Sequence, residues 1–372
     1  MTALGRGAAV AGAALLVATL SCGGRTALLP APFVDGGTTS GGARVDAGGA
    51  PGRCYGGFAA CAGACVDTLN DPAHCGGCGR DCAGGACKLG TCEPTVLASD
   101  QLGIADFAAA KTGLYWTRWM PQGNVVHLPP SGGAPRVVAA EQLGPFSLTV
   151  DDASVYWTNV DQEGNGKNGS VYKAGLTSGA PVALAERLYR PGGLEVSGGE
   201  LYWLDEGALH RLSVGGGMPS PVSKHSTFWY PAGSAIDAEA YYLGSSSGGI
   251  WRLPLRGGTP PDPNELTKVS GPFVLAGELV YFADGSSIQR VSRSGGPATA
   301  VVSSDGGRLR AVAVDGDRVY WADQGGAIFR APVGGGARSL LATSSSAVGR
   351  LAILGRRVVW TTQSGLIMAV AK

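Results

Sequence analysis

Charged residues are scarce in this sequence. Asp, Glu, Lys and Arg make up 15% of its 372 residues, against about 25% in an average globular protein. The 29 basic and 28 acidic residues leave a formal net charge of +1. Binding of nucleic acid or of an acidic membrane surface requires a clear excess of basic residues, so the composition excludes both as partners held by charge.

Long hydrophobic runs are absent near the N-terminus, where a membrane-spanning helix would need about 20 apolar residues. The run from Ala8 to Leu20 has only thirteen; Arg6 precedes it and small residues follow it. This pattern predicts a signal peptide over residues 1–21. The segment Thr19-Leu20-Ser21-Cys22 resembles a bacterial lipobox, in which the signal is cut before a cysteine that carries diacylglycerol. Ordinary cleavage or a slightly shifted cut is the alternative.

The lipobox resemblance implies a cellular location for the protein. Gly23 rather than Asp follows the cysteine, and by resemblance to Gram-negative lipoproteins this implies transfer to the outer membrane. Residues 22–53 carry Gly-Gly pairs with Pro, Thr and Ser and almost no apolar periodicity, which is typical of a flexible tether. We therefore expect an exported outer membrane lipoprotein, on the periplasmic or the cell-surface side, attached to the membrane through a lipid on Cys22.

Cysteine is almost confined to residues 54–92, which contain eight of the nine cysteines interleaved with glycine. A segment this small cannot bury a sufficient core, so it needs disulfides or a metal. The spacing Cys75-Gly-Gly-Cys78 also suits a zinc or iron-sulfur site, but export favours four disulfides and no metal. The pairing stays open, because eight cysteines allow 105 connectivities. The run CVDTLNDPAHCGGCGRDC, within residues 61–92, resembles a cysteine motif of exported myxobacterial lipoproteins. The cysteines are Cys54, Cys61, Cys65, Cys75, Cys78, Cys82, Cys87 and Cys92.

An internal repeat occupies residues 95–372, where a short aromatic segment recurs at steps of 41, 46, 39, 40, 39 and 39 residues. Each copy is followed by a strand with a basic residue and then by a Gly-rich turn, which predicts four short strands per unit. Units of about 40 to 45 residues with four strands are typical of β-propeller blades. Seven copies predict seven blades, and six blades with one spare copy is the alternative. The copies are LYWT (114–117), VYWT (155–158), LYWL (201–204), AYYL (240–243), VYFA (280–283), VYWA (319–322) and VVWT (358–361).

The last copy ends without a fourth strand, because the chain stops at Lys372 after the third, LIMAVA. The segment VLASDQLG that begins at Val96 matches VVAAEQLG, a fourth-strand segment that begins at Val137. We therefore predict that Val96 to Ser99 completes the last blade and covers the free edge that its third strand would otherwise present. The predicted fold class is all-β, a propeller preceded by a small disulfide-rich module.

The repeat resembles the YWTD repeat of low-density-lipoprotein-receptor propellers and the related TolB-like propellers of bacteria. Only Asn159, Asp205, Asp284 and Asp323 approximate the final acid of that motif. The resemblance implies that the basic residue of each third strand pairs with this acid, and a ring of cations that binds an anion at the axis is the alternative. The basic residues are His127, Lys173, Arg211, Arg252, Arg290 and Arg330.

Residues for catalysis are few. The four histidines, His74, His127, His210 and His225, form neither an HExxH motif nor an i, i+4 pair. The segment that begins at Asp161 resembles an EF-hand loop but has Tyr172 where the bidentate Glu should be. We therefore expect no cofactor and no metal, and a non-enzymatic binding or scaffold protein for an envelope protein or a polysaccharide. A propeller enzyme of the lyase or lactonase type is the alternative.

Blade topology predicts where a partner binds. The turn between the second and third strands of a blade and the connector to the next blade emerge on one face, called here the connector face. The Gly-Gly turns between the third and fourth strands, such as those at Gly257 and Gly334, lie on the opposite face. Loop aromatics and arginines are enriched in binding surfaces. The predicted binding residues on the connector face are Trp119, Tyr189, Arg190, Phe228, Trp229 and Tyr230.

Overall fold

The computed structural model describes Cys54 and residues 58–160, 168–176, 179–224, 231–245, 248–256, 264–269, 271–303 and 307–372. Every regular element in these ranges is a β-strand, so the predicted all-β class is confirmed. No helix within them is long and apolar enough to cross a membrane. The signal peptide, Cys22 and the tether lie outside the described residues, as do Asp161, His225, Phe228, Trp229, Tyr230 and Gly257.

The cysteine-rich module consists of two small hairpins, β1 (Phe58–Cys61) with β2 (Ala64–Asp67), and β3 (Cys87–Lys88) with β4 (Thr91–Cys92). Four disulfides close overlapping loops and take the place of an apolar core. Such a set of bridges indicates an exported, non-cytoplasmic protein. The bridges are Cys54–Cys65, Cys61–Cys78, Cys75–Cys87 and Cys82–Cys92.

Two features of the module bear on the remaining predictions. The sulfurs of Cys75, Cys82 and Cys92 lie within 4.8 Å of one another, but all three belong to disulfides, so this cluster consists of two adjacent bridges. The module also packs on the last blade of the propeller, where its buried cysteines join one apolar cluster with Val370 and Ala371.

Seven four-stranded antiparallel sheets follow, and each takes its strands in the order first, second, third, fourth. The first strands contact one another in a closed ring around the axis, and the first strand of blade 7 contacts that of blade 1. The prediction of seven blades is therefore confirmed. The strands are β5 (Thr95–Ala98), in blade 7; β6 (Ile104–Ala110), β7 (Gly113–Arg118), β8 (Gly123–Leu128) and β9 (Arg136–Gln142), blade 1; β10 (Pro145–Val150), β11 (Ser154–Asn159), β12 (Gly169–Gly175) and β13 (Val182–Leu188), blade 2; β14 (Gly192–Ser197), β15 (Glu200–Asp205), β16 (Ala208–Ser213) and β17 (Ser220–Lys224), blade 3; β18 (Pro231–Ile236), β19 (Ala240–Ser245), β20 (Ile250–Pro254) and β21 (Asn264–Thr267), blade 4; β22 (Phe273–Ala276), β23 (Leu279–Asp284), β24 (Ser287–Ser292) and β25 (Thr299–Ser303), blade 5; β26 (Leu309–Asp315), β27 (Arg318–Asp323), β28 (Ala327–Pro332) and β29 (Ser339–Thr343), blade 6; β30 (Val348–Leu354), β31 (Arg357–Thr362) and β32 (Ile367–Ala371), blade 7.

The N-terminal strand β5 closes the ring, as predicted. It pairs antiparallel with β32 and supplies the fourth strand of blade 7. Ala98 lies opposite Ile367, and Thr95 lies opposite Ala369. The two aligned segments also correspond in their contacts, because the glutamine within each segment accepts a hydrogen bond from a buried tryptophan. These pairs are Gln101 with Trp116, at 3.1 Å, and Gln142 with Trp157, at 3.0 Å.

The core lies between the blades rather than within one sheet. Successive side chains of a strand point to opposite faces, so the Tyr and the Trp of each repeat pack on different neighbours. Tyr115 of blade 1 packs with Trp157 of blade 2, whereas Trp116 packs with Val359 and Ile367 of blade 7. Both faces of each second strand are therefore buried, which explains the continuous apolar segment at the centre of every repeat.

Candidate functional site

Trp119, the first of the predicted binding residues on the connector face, lies next to Met120 in the turn between β7 and β8. Both side chains are exposed, Trp119 at 47% and Met120 at 43%. Trp119 meets Phe146, at the start of β10, edge to face, with 6.3 Å between the ring centroids. The two rings form an aromatic pair that bridges blades 1 and 2 at the surface.

Tyr189 and Arg190 lie one connector further along, between β13 and β14, and both are half-buried. The backbone N–H of Tyr189 donates to Asp205 Oδ1 at 2.9 Å. Arg190 has a φ of +135°, an uncommon conformation for a residue other than glycine. In the described part of the chain, no ring contact joins Tyr189 to Trp119. The structure therefore places the two on one face without bringing them together.

A central cavity of about 680 Å³ opens between the first strands of all seven blades. A volume of this size suits a small-molecule or oligomeric ligand, since ligand pockets commonly measure about 300 to 1,000 Å³. Phe146 lines the cavity and also contacts Trp119, so the aromatic pair borders its mouth. The charged residues that line it are Asp106, Glu195, Arg308, Arg310 and Arg350.

Asp106, on β6, links three blades at the axis. Its Oδ2 accepts hydrogen bonds from the backbone N–H of Leu148, at 2.9 Å, and from Ser147 Oγ, at 3.4 Å, both in blade 2. Its Oδ1 accepts the N–H of Phe107 at 2.9 Å and lies 3.5 Å from Arg350 Nη2 of blade 7. The carboxylate is thus surrounded by donors and holds neighbouring blades together.

Glu195, on β14, is the second carboxyl group of the cavity. Its Oε1 accepts a hydrogen bond from Ser234 Oγ of blade 4 at 2.8 Å. Burial raises the pKa of Glu195 to about 8; the bond from Ser234 opposes this shift and the negative charge of Asp106 adds to it. At pH 7 this side chain is therefore mostly protonated and neutral.

Gly193, two residues before Glu195, permits a close contact between blades 3 and 4. Tyr241 donates its hydroxyl hydrogen to the carbonyl oxygen of Gly193 at 2.5 Å. Gly193 has a φ of +63°, and a Cβ there would lie 2.3 Å from the Tyr241 hydroxyl oxygen. Burial, followed by the charge of Glu195, raises the pKa of Tyr241 well above its usual value. The hydroxyl is therefore a neutral donor that fixes the wall of the cavity.

The basic residues of the third strands have a different partner from the one that the family resemblance implies. Each lies opposite a tyrosine of the repeat segment in its blade, as Arg290 does opposite Tyr281. Arg290 Nη1 donates to the carbonyl of Val333 in the next blade at 3.0 Å, and Lys173 Nζ donates to Val214 in the same way at 2.7 Å. These basic residues therefore have a structural role. The predicted pairing with the final acid of the motif was wrong, since Asp205, one of those acids, accepts a backbone N–H instead.

The cation ring at the axis is also ruled out, because third strands lie two positions outward from the ring of first strands. The one carboxylate that pairs with a member of this set in the described ranges is Glu239, 3.2 Å from Arg252. Glu239 precedes the repeat motif of blade 4 and is not its final acid.

The described histidines serve packing and turns. His127 stacks on Tyr115 and is 2.9 Å from the carbonyl of Thr112. His210 stacks on Trp203. His74 Nδ1 accepts the N–H of Gly79 within the cysteine-rich module, at 3.0 Å. None of these three lines the cavity.

Sequence reasoning missed the residues at the axis. The signal was present as single charged residues inside apolar first strands: Asp106 in IADFAAA, Glu195 in GGLEVS, Arg310 in LRAVAVD and Arg350 in VGRLAIL. In a blade whose faces are both buried, a charged residue on the innermost strand has only the axial cavity in which to remain solvated.

Comparison with known proteins supports the fold. No protein-family model and no curated protein sequence matches the chain. Among solved structures, virginiamycin B lyase from Staphylococcus aureus is similar with a TM-score of 0.59 at 13% identity, covering 75% of this chain and 98% of the lyase. A catalytically inactive variant of that lyase with quinupristin gives a TM-score of 0.57 at 13% identity, with coverage of 75% and 98%. A computationally designed protein gives 0.53 at 13% identity, with coverage of 74% and 98%. At such identities the likeness establishes the shared fold alone.

Proposed function

We propose that this protein is an exported, non-enzymatic binding protein whose propeller holds a polysaccharide or a protein of the cell envelope at the mouth of the central cavity. The observation that carries the proposal is the continuity of the exposed Trp119–Phe146 pair with the charged axial cavity. Exposed aromatic rings beside arginines are typical of binding surfaces. The half-buried Tyr189 and Arg190 extend the same face.

Binding fits the cavity better than catalysis does. A hydrolase or lyase needs a nucleophile, base or metal free to act on a substrate. Within the described part of the cavity, Asp106 is surrounded by four donors and Glu195 is held by Ser234. Both carboxyl groups therefore stabilise contacts between blades. The likeness to a lyase concerns the fold, and a lyase or lactonase activity would show as turnover of the bound ligand.

The proposed attachment is a lipid on Cys22. Diacylation of this cysteine anchors a protein stably, whereas one acyl chain binds membranes only marginally. We expect mass spectrometry of the mature N-terminus to show a lipid-modified Cys22, and Cys22→Ser to release the protein from the membrane fraction. An unmodified N-terminus at another residue would contradict the anchor and would leave the binding site unaffected.

The binding proposal predicts the effect of truncating the aromatic pair. We expect Trp119→Ala combined with Phe146→Ala to weaken retention of envelope partners about tenfold, since loss of a central aromatic contact commonly costs more than about 1 kcal/mol. Quantitative pull-down from solubilised envelopes measures the effect. Met218→Ala is the control, because Met218 is 91% exposed in the turn between β16 and β17 on the opposite face. Full retention of every partner by the folded double variant would exclude this site.

A further inference from the structure

Arginines gather on one side of the cavity mouth, at the start of two neighbouring first strands. Arg308 and Arg310 flank the buried Leu309 of blade 6, and both arginines are exposed. Arg350 lies at the start of β30 in blade 7, and its side chain is 48% exposed. All three arginines line the cavity, and all three are exposed residues at the starts of first strands, which lie on the connector face.

Negative charge in the described lining is smaller than this positive charge. The oxygens of Asp106 face Arg350 and the donors of blade 2. Glu195, with its pKa raised to about 8 by burial, is mostly neutral at pH 7. Among the described residues, no carboxylate forms an ion pair with Arg310. The mouth therefore has positive charge to offer an anionic ligand, although the chain as a whole is nearly neutral.

Aromatic surface lines the same cavity mouth, on the side of blades 1 and 2. Phe146 is 38% exposed and lines the same cavity as Arg310, and Trp119 extends the apolar surface away from the axis. A carboxylated sugar presents both complementary groups: a carboxylate for a guanidinium and the apolar face of a pyranose ring for an aromatic ring. An acidic peptide presents the carboxylates without a regular apolar face.

We propose that the cavity mouth binds an acidic polysaccharide whose uronic acid carboxylates pair with Arg310 and Arg350, while a neighbouring sugar ring packs against Trp119 and Phe146. Arg308 contributes at the rim. This inference rests on the proposed function, and it adds the chemical class of the ligand. No covalent step is involved.

The test is titration calorimetry of the full chain with hexagalacturonate, with the same hexasaccharide after reduction of its carboxyl groups, and with hexaglutamate. We expect hexagalacturonate to bind and the carboxyl-reduced sugar to bind at least about tenfold more weakly, because it loses charge-assisted hydrogen bonds. Equal binding of the two sugars would overturn the inference about the ligand but leave the proposed binding function standing. The same conclusion would follow if the protein bound neither sugar yet retained an envelope partner through Trp119. Hexaglutamate binding as tight as that of hexagalacturonate would also overturn it.

Matched arginine variants test the position of the site. Arg310→Gln is expected to weaken hexagalacturonate binding about fivefold to tenfold. Arg318→Gln is the control, since Arg318 is exposed on the same blade but at the far end of its first hairpin. Unchanged affinity in the first variant, or an equal loss in the second, would overturn the assignment. Both side chains are exposed, so both variants should fold, and coincident thermal unfolding checks this.

The pH dependence gives an independent readout. The groups that face Glu195 are Asp106, Ser234 and Tyr241, together with the arginines across the cavity. Glu195 is mostly neutral at pH 7 and mostly ionised at pH 9, since its pKa is raised to about 8, so the rise in pH adds a negative charge to the cavity lining. We expect wild-type affinity for hexagalacturonate to fall about tenfold between pH 7 and pH 9 and the affinity of Glu195→Gln to stay constant. An equal fall in both proteins would overturn the role of Glu195.

Discussion

Deletion of residues 94–100 is expected to lower the midpoint of thermal unfolding by about 10 °C and to make the protein self-associate. These residues include β5, the fourth strand of blade 7, which pairs with β32 from Thr95 to Ala98. Without it, β32 presents a row of unpaired N–H and C=O groups to solvent, which is a template for pairing with another chain. Calorimetry and sedimentation velocity measure the two effects.

Point variants within β5 provide a matched control for this deletion. Ala98 is 6% exposed and packs in a cluster with Ile367 and Ala369, whereas Val96 is 55% exposed. Ala98→Glu should therefore destabilise the protein strongly, because it buries a charge in an apolar cluster, and Val96→Glu should have little effect. Unchanged stability of both the deletion variant and Ala98→Glu would show that β5 does not close the ring in solution.

Replacement of Asp106 by alanine is expected to reduce the free energy of unfolding by about 3 kcal/mol. The substitution leaves the N–H groups of Phe107 and Leu148 without their acceptor and removes the contact to Arg350 that joins blade 7 to blade 1. Asp106→Asn keeps one acceptor oxygen and should lose about half as much. Urea unfolding at pH 7 gives these values.

An exposed aspartate serves as the control for Asp106. Asp317, in the turn between β26 and β27, has a side chain that is 86% exposed, so Asp317→Ala should change stability by less than about 0.5 kcal/mol. If Asp106→Ala lost no more than this control, the axial hydrogen-bond network would not hold the blades together, and the preformed cavity would need another explanation.

The repeat made the fold predictable to the level of a single strand. A period near 40 residues identified the blades, and the match between the segments at Val96 and Val137 identified the closing strand before any geometry was known. Both predictions succeed for one physical reason. A blade cannot bury its faces alone, so each copy carries buried apolar residues, most of them aromatic, at the same positions and forms the same strand pairings. The hydrogen bonds of Gln101 and Gln142 to the repeat tryptophans confirm how closely the copies correspond.

The disulfide pairing and the axial residues could not be predicted in the same way. Pairing depends on which cysteines the turns of a module without a core bring within about 6 Å, and nothing in the spacing of Cys75 or Cys82 expresses that. Asp106, Glu195 and Arg310 occupy different positions in their blades, so no repeat alignment collects them. The partner of Arg290 was mispredicted because the family resemblance implied an acid where this chain supplies the carbonyl of Val333.

The central claim, that the ligand sits at the mouth of the axial cavity on the connector face, is tested most directly by hydrogen–deuterium exchange of the full chain with and without saturating hexagalacturonate. The account predicts slower exchange in peptides that carry the starts of first strands, above all residues 105–108, 145–149, 308–312 and 349–351, together with the turn that contains Trp119. Protection confined to turns between third and fourth strands, such as residues 214–219, or no protection at a saturating concentration, would contradict it.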